Sequence, residues 1–351
     1  AANGGTLTAF GDGPDLDAYA GSLAGVQTQI VRLPRAAGAN AAWHLLGAGY
    51  RARRLGADVL LLPAANRRIA AWSPVPVVAV VHDLAQLRVE RKYDPLRMFY
   101  FRRILLPAFR RPAALVAISQ ATRNDLTTTL RLPAERVRVV YNGVNPAAYR
   151  VCDAENIRRA RAAAGLAERP YLLYPARLEH PGKNHVRLLQ AFARSGLAAT
   201  HVLALSGADW GAEPLIRAKI DELRLSGTVR LLGFVGQLAP LLAGADAVLM
   251  LGLHEGFGLP PLEALSAGRP VCVANTGALP EVVGPFGVQC DPLSEHSIAE
   301  ALRQVVSDEA IRTRCRQGGP AWADRFTWGR TAEGLLEACH AAVNRVAQKP
   351  A

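Results

Sequence analysis

Short aliphatic runs with no polar alternation recur along the chain, at 58–62, 75–81, 115–118, 137–140, 171–174, 201–206, 229–232, 247–251 and 270–274. Strands covered on both faces read this way, because neither side meets water. Longer stretches of helical period separate them, as at 119–130, 185–194 and 213–225. Strand and helix in alternation predict parallel sheets wound by right-handed crossovers. The strands are too many for one ordinary sheet. The segment 142–169, with the turn Asn142-Gly143, Pro146 and a charged helical run, ends one series and begins another. The expectation is two doubly wound α/β domains facing each other. Their strand C-termini then share one cleft, where ligands bind in folds of this kind.

Composition adds limits. Of 351 residues, 50% are hydrophobic and 20% charged, enough apolar surface to bury a core. No uncharged apolar stretch reaches the roughly 18 residues of a spanning helix. The longest candidate, 238–253, is broken by Pro240 and Asp246. No basic-then-apolar leader is visible, so no secretory signal is expected. Five cysteines (152, 272, 290, 315, 339) form no Cys-x-x-Cys pair, which suits a reduced compartment without structural zinc. The formal charge is +12, and nearly all of the excess falls in the first 150 residues. That asymmetry fits a polyanionic partner: nucleic acid, an anionic membrane or a phosphorylated substrate. All but four of the 41 basic residues are Arg, which base composition of the genome explains equally well.

Two short patterns mislead. Gly47-Ala48-Gly49-Tyr50-Arg51-Ala52 fits a loose dinucleotide fingerprint but follows a helical segment and precedes a strand, the wrong context. Asp15-Leu16-Asp17 resembles a metal–nucleotide pair but sits in the turn cluster of Gly11 to Pro14.

The chemistry concentrates after the strand at 247–251, in His254-Glu255-Gly256-Phe257-Gly258-Leu259-Pro260-Pro261-Leu262-Glu263. Glycines after a strand and prolines in a first helical turn describe a tight strand–loop–helix joint, with a helix starting near Pro261. Free amides at that helix start, with Gly256–Gly258, make a site for a phosphate. Two carboxylates, Glu255 and Glu263, flank it. Beside a phosphate they make sense as acceptors for hydroxyls, on a sugar and on a ribose. Phosphate donors between two polyol acceptors describe a nucleotide-sugar.

Glu255 and Glu263, with seven residues between them, resemble the Glu-x(7)-Glu signature of glycosyltransferase family 4, a retaining family with the two-domain GT-B fold. Tyr174-Pro175-Ala176-Arg177-Leu178 with Lys183-Asn184, Leu232-Gly233-Phe234-Val235 and Gly277-Ala278-Leu279-Pro280-Glu281 extend the likeness. In the first half Val81-His82-Asp83-Leu84, Ile118-Ser119-Gln120-Ala121-Thr122 and Tyr141-Asn142-Gly143-Val144 do the same. The resemblance covers about residues 55–345. It implies a GT-B architecture: an acceptor-binding Rossmann-like domain at 1–165, a nucleotide-sugar domain at 166–325, and a C-terminal helix at 326–351 returning to the first. One departure is the start. Family members open with a strand and a Gly-rich loop, whereas Thr6-Leu7-Thr8-Ala9-Phe10 reads like a later strand, so one strand–helix unit is expected to be missing.

The resemblance also assigns roles. Arg177 and Lys183 would bind the donor pyrophosphate, two fixed cations stabilising the charge that develops as the leaving group departs, without a metal or other cofactor. Glu263 would hold the ribose and Glu255 the transferred sugar. The amides of Gly256, Phe257, Gly258 and Leu259 would approach sugar and phosphate, and Phe234 and Val235 would flank the base. His82 would face the donor sugar across the cleft, against the alternative of a core or capping histidine. Asp83 would either orient an acceptor hydroxyl or cap a turn. No carboxylate stands out as a nucleophile, which suits front-face attack assisted by the leaving phosphate.

The expected activity is a retaining hexosyltransferase, with mannose from GDP-mannose the favoured donor and UDP-sugars open. Its acceptor would be a glycan or a polyprenyl-diphosphate-linked glycan, at the cytoplasmic face of a membrane. The stretch 88–111 carries eight basic residues interleaved with Tyr93, Phe99, Tyr100, Phe101 and Phe109. Such a stretch suits an anionic membrane surface or a helix packing its aromatic face inward. Nucleic-acid binding is the competing class on charge alone, yet it leaves 255–263 without a use. A phosphorylase on the same fold would need a cofactor lysine, and Lys92, Lys219 and Lys349 stand in no suitable context.

Overall fold

The computed structural model describes residues 5–66, 68–89, 94–150 and 152–347. Arg91, Lys92 and Tyr93 of the basic stretch, and Lys349, lie outside the described residues. Three parallel sheets organise the described residues. The first pairs β1 (Thr8–Gly11) with β2 (Gln27–Ile30). The second has order β3-β4-β5-β6, from Leu60–Leu62, Val77–Val81, Ala114–Ala117 and Val137–Val139. The third has order β12-β11-β10-β7-β8-β9. Its strands are β7 (Tyr171–Pro175), β8 (Val202–Ser206), β9 (Val229–Gly233), β10 (Ala247–Met250), β11 (Val271–Ala274) and β12 (Gly287–Cys290). The aliphatic runs fold as expected: β4, β8, β10 and β11 are buried at every position.

Four helices matter for the site. Helix α1 (Gln120–Leu130) follows β5, with Ser119 as its N-cap. Helix α2 (Leu259–Ser266) follows β10, and α3 (Leu279–Val283) follows β11. Helix α4 (Trp328–Ala347) crosses back to the second sheet, burying Ala338, Cys339 and Ala342 among Val78, Val80 and Val116.

The segment between the large sheets differs in detail from the expected division at 165. Helices at Pro146–Arg150 and Ala154–Ala163 pack on the helices at Ala239–Gly244 and, for the first, on α2. They therefore travel with the third sheet, and the chain changes allegiance near Gly143, where a Cβ would lie 2.1 Å from the Trp328 amide nitrogen. Thr8–Gly11 is a strand, as its pattern suggests, but pairs only with β2, outside the four-stranded sheet. The Gly47 segment is helical and Asp15 lies in a short helix capped by Asp12, so neither forms a loop around phosphates.

Candidate active site

In the third sheet β7 and β10 are neighbours, and the chain winds outward from them in opposite directions. Their carboxyl ends therefore open a crevice that no crossover covers, the usual ligand position in such sheets. Arg177 and Lys183 leave β7 there, and 252–258 leaves β10.

The two loops are fastened to each other. The buried Tyr174 hydroxyl donates to the Lys183 carbonyl at 2.5 Å, and the Leu253 amide donates to the Gly182 carbonyl at 2.9 Å. Asn184, in left-handed conformation, anchors the far end by donating to the Pro292 carbonyl at 2.7 Å. This frame brings Lys183 Nζ to 2.7 Å from Glu255 Oε1, with side chains only 19% and 14% exposed. The pair is half-sheltered, so each charge offsets the desolvation of the other. Arg177 is held by Glu179 and lies 4.4 Å over the Trp210 ring.

After Glu255 the backbone runs through Gly256 and Phe257 to Gly258, whose φ of 100° only glycine adopts readily. The helix begins at Leu259 rather than Pro261, which places both prolines in its first turn. Neither has an N–H. The anion site expected from free helix amides thus reduces to Gly256, Phe257, Gly258 and Leu259, whose amides find no protein acceptor among the described residues. The Phe257 side chain points away, buried against Tyr141 and Phe326 with ring centroids 6.2 and 6.0 Å distant.

Glu263 lies one turn further along α2. Burial pushes its carboxyl above the usual range, and a hydrogen bond from the Tyr149 hydroxyl partly counters that. Phe234 is 81% exposed just beyond β9, two strands away from β7, while Val235 packs on the core.

The first half contributes the end of β4. His82 Nε2 lies 2.7 Å from the Pro63 carbonyl. Asp83 accepts from the Ala85 amide at 3.0 Å, so in this state it caps a turn. Gly256 closes onto this point: a Cβ there would fall 2.0 Å from the His82 carbonyl oxygen and 2.9 Å from Asp83 Cβ. His82 and Asp83 thus abut the loop carrying Glu255. Tyr149, Glu179, Asp125 and Glu281 also take part in this region and were not singled out as site residues from the sequence. Tyr149, Asp125 and Glu281 are each defined by a partner on another element, which no local pattern reveals, while Glu179 pairs with Arg177 in its own loop.

Comparison with known proteins bears on the family and the fold. The family described as Glycosyltransferase Family 4 matches residues 1–148, and that described as Glycosyl transferases group 1 matches 156–322. O-antigen chain mannosyltransferase B of Escherichia coli is 28% identical over 262 residues, 72% of this chain and 66% of that protein. A GDP-mannose-dependent alpha-(1-6)-phosphatidylinositol dimannoside mannosyltransferase of Mycobacterium tuberculosis is 34% identical over 163 residues, 45% of this chain and 40% of that protein. The matches thus span less than two thirds of either relative. Anabaena HepE, solved in complex with UDP-glucose, superposes with a TM-score of 0.72 at 19% identity, covering 95% of this chain and 89% of that one. The chain belongs to glycosyltransferase family 4, and its fold is GT-B.

Proposed function

We propose that this enzyme transfers a hexose, mannose from GDP-mannose in the favoured reading, to a glycan or lipid-linked glycan with retention of anomeric configuration. The observation that carries it is the Lys183–Glu255 pair at the strand crossover, under free amides and opposite His82. In this reading a donor diphosphate draws Lys183 away from Glu255 and takes its charge, together with Arg177 and the 256–259 amides. Glu255 is then free to accept from sugar hydroxyls and Glu263 from ribose hydroxyls. The C1–O bond to the diphosphate breaks, and the acceptor oxygen bonds to C1 on the same face. The acceptor proton passes to the departing phosphate oxygen. Two cations meet the developing charge, so the reading requires no metal.

The mannose reading draws on the relatives' names, both mannosyltransferases. A UDP-sugar is the second reading, favoured by the UDP-glucose in HepE. At Gly233–Phe234 main-chain groups and one exposed ring are offered to a base, which favours neither guanine nor uracil. The acceptor half carries exposed Leu96, Phe99 and Ile104 beside Arg97, Arg102 and Arg103, a surface suited to an anionic bilayer. No helix of the described residues is long and apolar enough to cross a membrane.

The test is transfer of labelled sugar from GDP-mannose, UDP-glucose and UDP-N-acetylglucosamine to mannosyl and polyprenyl-diphosphate-linked acceptors, with product anomers read by NMR. An α-linked product from one donor is expected. Inverted product, or hydrolysis only with every donor, would count against the proposal. Flotation should show binding to anionic but not neutral vesicles.

A further inference from the structure

We infer that Glu281 and Asp125 are positioning residues that dock the donor loop of the second half onto helix α1 of the first, and so set the distance between His82 and the transferred sugar. The inference rests on the assignment of 255–258 and His82 to that sugar.

Helix α1 opens with Ser119, whose hydroxyl accepts from the Thr122 amide at 3.0 Å. The next two amides, of Gln120 and Ala121, would otherwise point to solvent. They donate instead to the two oxygens of Glu281, at 3.0 and 2.9 Å, from a residue 160 positions away. A carboxylate there also meets the positive end of the helix dipole. The Tyr141 hydroxyl donates to the same carboxylate at 3.1 Å.

Glu281 is coupled tightly to Glu255. The Ala278 amide at the start of α3 donates to the Glu255 carbonyl at 2.9 Å. Gly277 lies so close that a Cβ would fall 2.4 Å from that oxygen. On the other side of Glu255, His254 Nε2 lies 3.4 Å from Asp125 Oδ2, both side chains 9% exposed, while Asp125 Oδ1 takes Arg88. Helix α1 therefore meets the loop on both sides of Glu255, through hydrogen bonds to Glu281 after it and through the close packing of Asp125, whose Oδ2 makes no hydrogen bond, on His254 before it. The same helix holds the opposing group, because the Thr122 hydroxyl donates to the His82 carbonyl at 3.2 Å.

These contacts suit a hinge. Glu281 recognises backbone amides, whose placement depends on no rotamer of the first half. When they part, both sides exchange protein partners for water at modest net cost. Closure would then bring Gly256 onto His82 in a reproducible register.

The test uses the full chain with Glu281→Ala, Glu281→Gln and Asp125→Asn. Transfer kinetics, calorimetry with GDP and UDP, and thermal midpoints are measured together. Misplacing the two half-sites by about 1 Å should lower kcat about 100-fold in Glu281→Ala. Nucleotide diphosphate affinity should change less than about threefold, since Arg177, Lys183 and Glu263 all lie in the second half. Glu281→Gln should recover part of the rate, because its carbonyl oxygen still accepts from one amide. Unchanged kcat, or loss of nucleotide affinity and thermal midpoint in step with kcat, would overturn the inference. If the wild-type enzyme turns over none of the donors, the functional reading fails, and solution scattering decides this point alone. The Glu281→Ala, Asp125→Asn double variant should be measurably more extended with nucleotide bound. A profile identical to wild type would sink the docking role.

Discussion

Gly256→Ala is the smallest change that separates the two half-sites. The added methyl would lie 2.0 Å from the His82 carbonyl oxygen, against about 3.4 Å for ordinary contact, so loop and strand end must part by about 1.4 Å. The opposing atom is backbone at the end of the fully buried β4 and cannot swing aside. A displacement of this size at a reacting centre costs on the order of 100-fold in rate, about 2.7 kcal/mol of transition-state stabilisation. The cleft can yield without unfolding, so the thermal midpoint should move by no more than a few degrees. The substitution keeps the amide at 256 and leaves Arg177, Lys183 and Glu263 untouched, so calorimetry with the diphosphate product should give a Kd within a few-fold of wild type. Steady-state transfer kinetics is the assay. Wild-type kcat in this variant would refute the claim that His82 and the 255–258 loop act together. Loss of nucleotide binding with intact kcat/KM for a truncated donor would show that Gly256 serves the phosphate alone and does not set the spacing to His82.

Other consequences follow from burial. Glu263 has its carboxyl raised by burial, so its ionised form opposes folding above that raised value and the group favours the fold at lower pH. Glu263→Gln should therefore raise the thermal midpoint at pH 7, with the gain shrinking towards pH 4.5, while nucleotide affinity falls at least tenfold. Phe234→Ala removes an 81% exposed ring and should leave stability within about 0.5 kcal/mol. It should also weaken nucleotide binding by about 1–3 kcal/mol if the ring stacks on the base; equal affinity would place the base elsewhere. His185 and His44 are held down to about 4, and His254 is also lowered, chiefly by burial. The unfolded chain protonates these near 6.5, so stability is full above that pH and lost as pH falls towards 4. His185 alone accounts for about 3 kcal/mol of this, from a shift of 6.5 to about 4. The thermal midpoint of His185→Phe should fall less steeply with acid than that of wild type.

The strands of the large sheets are legible because burial on both faces leaves continuous aliphatic runs such as Val77–Val81 and Val202–Ser206. β2 (Gln27–Ile30) is exposed at every position, so no hydrophobic pattern betrays it. β12 (Gly287–Cys290) is short and alternates around exposed Gln289, below the length a pattern needs. At the site, glycine spacing and paired carboxylates marked 255–263 directly. The docking contacts were out of reach, because Glu281 and Asp125 take their meaning from Ser119–Ala121 and His254, more than a hundred residues away in sequence. Proline shows a subtler limit. Pro260 and Pro261 correctly announced a helix start, yet the same rings remove amides that a helix start would otherwise offer an anion.

The central claim is that Lys183, Glu255 and Glu263 surround a nucleotide diphosphate at the β7–β10 crossover. Calorimetry of GDP and UDP against wild type, Lys183→Ala and Glu263→Ala tests it most directly. The account predicts one clear nucleotide site in the wild-type protein, lost or weakened at least tenfold in each variant whose thermal midpoint shows it still folded. Full-strength binding by both variants would contradict it.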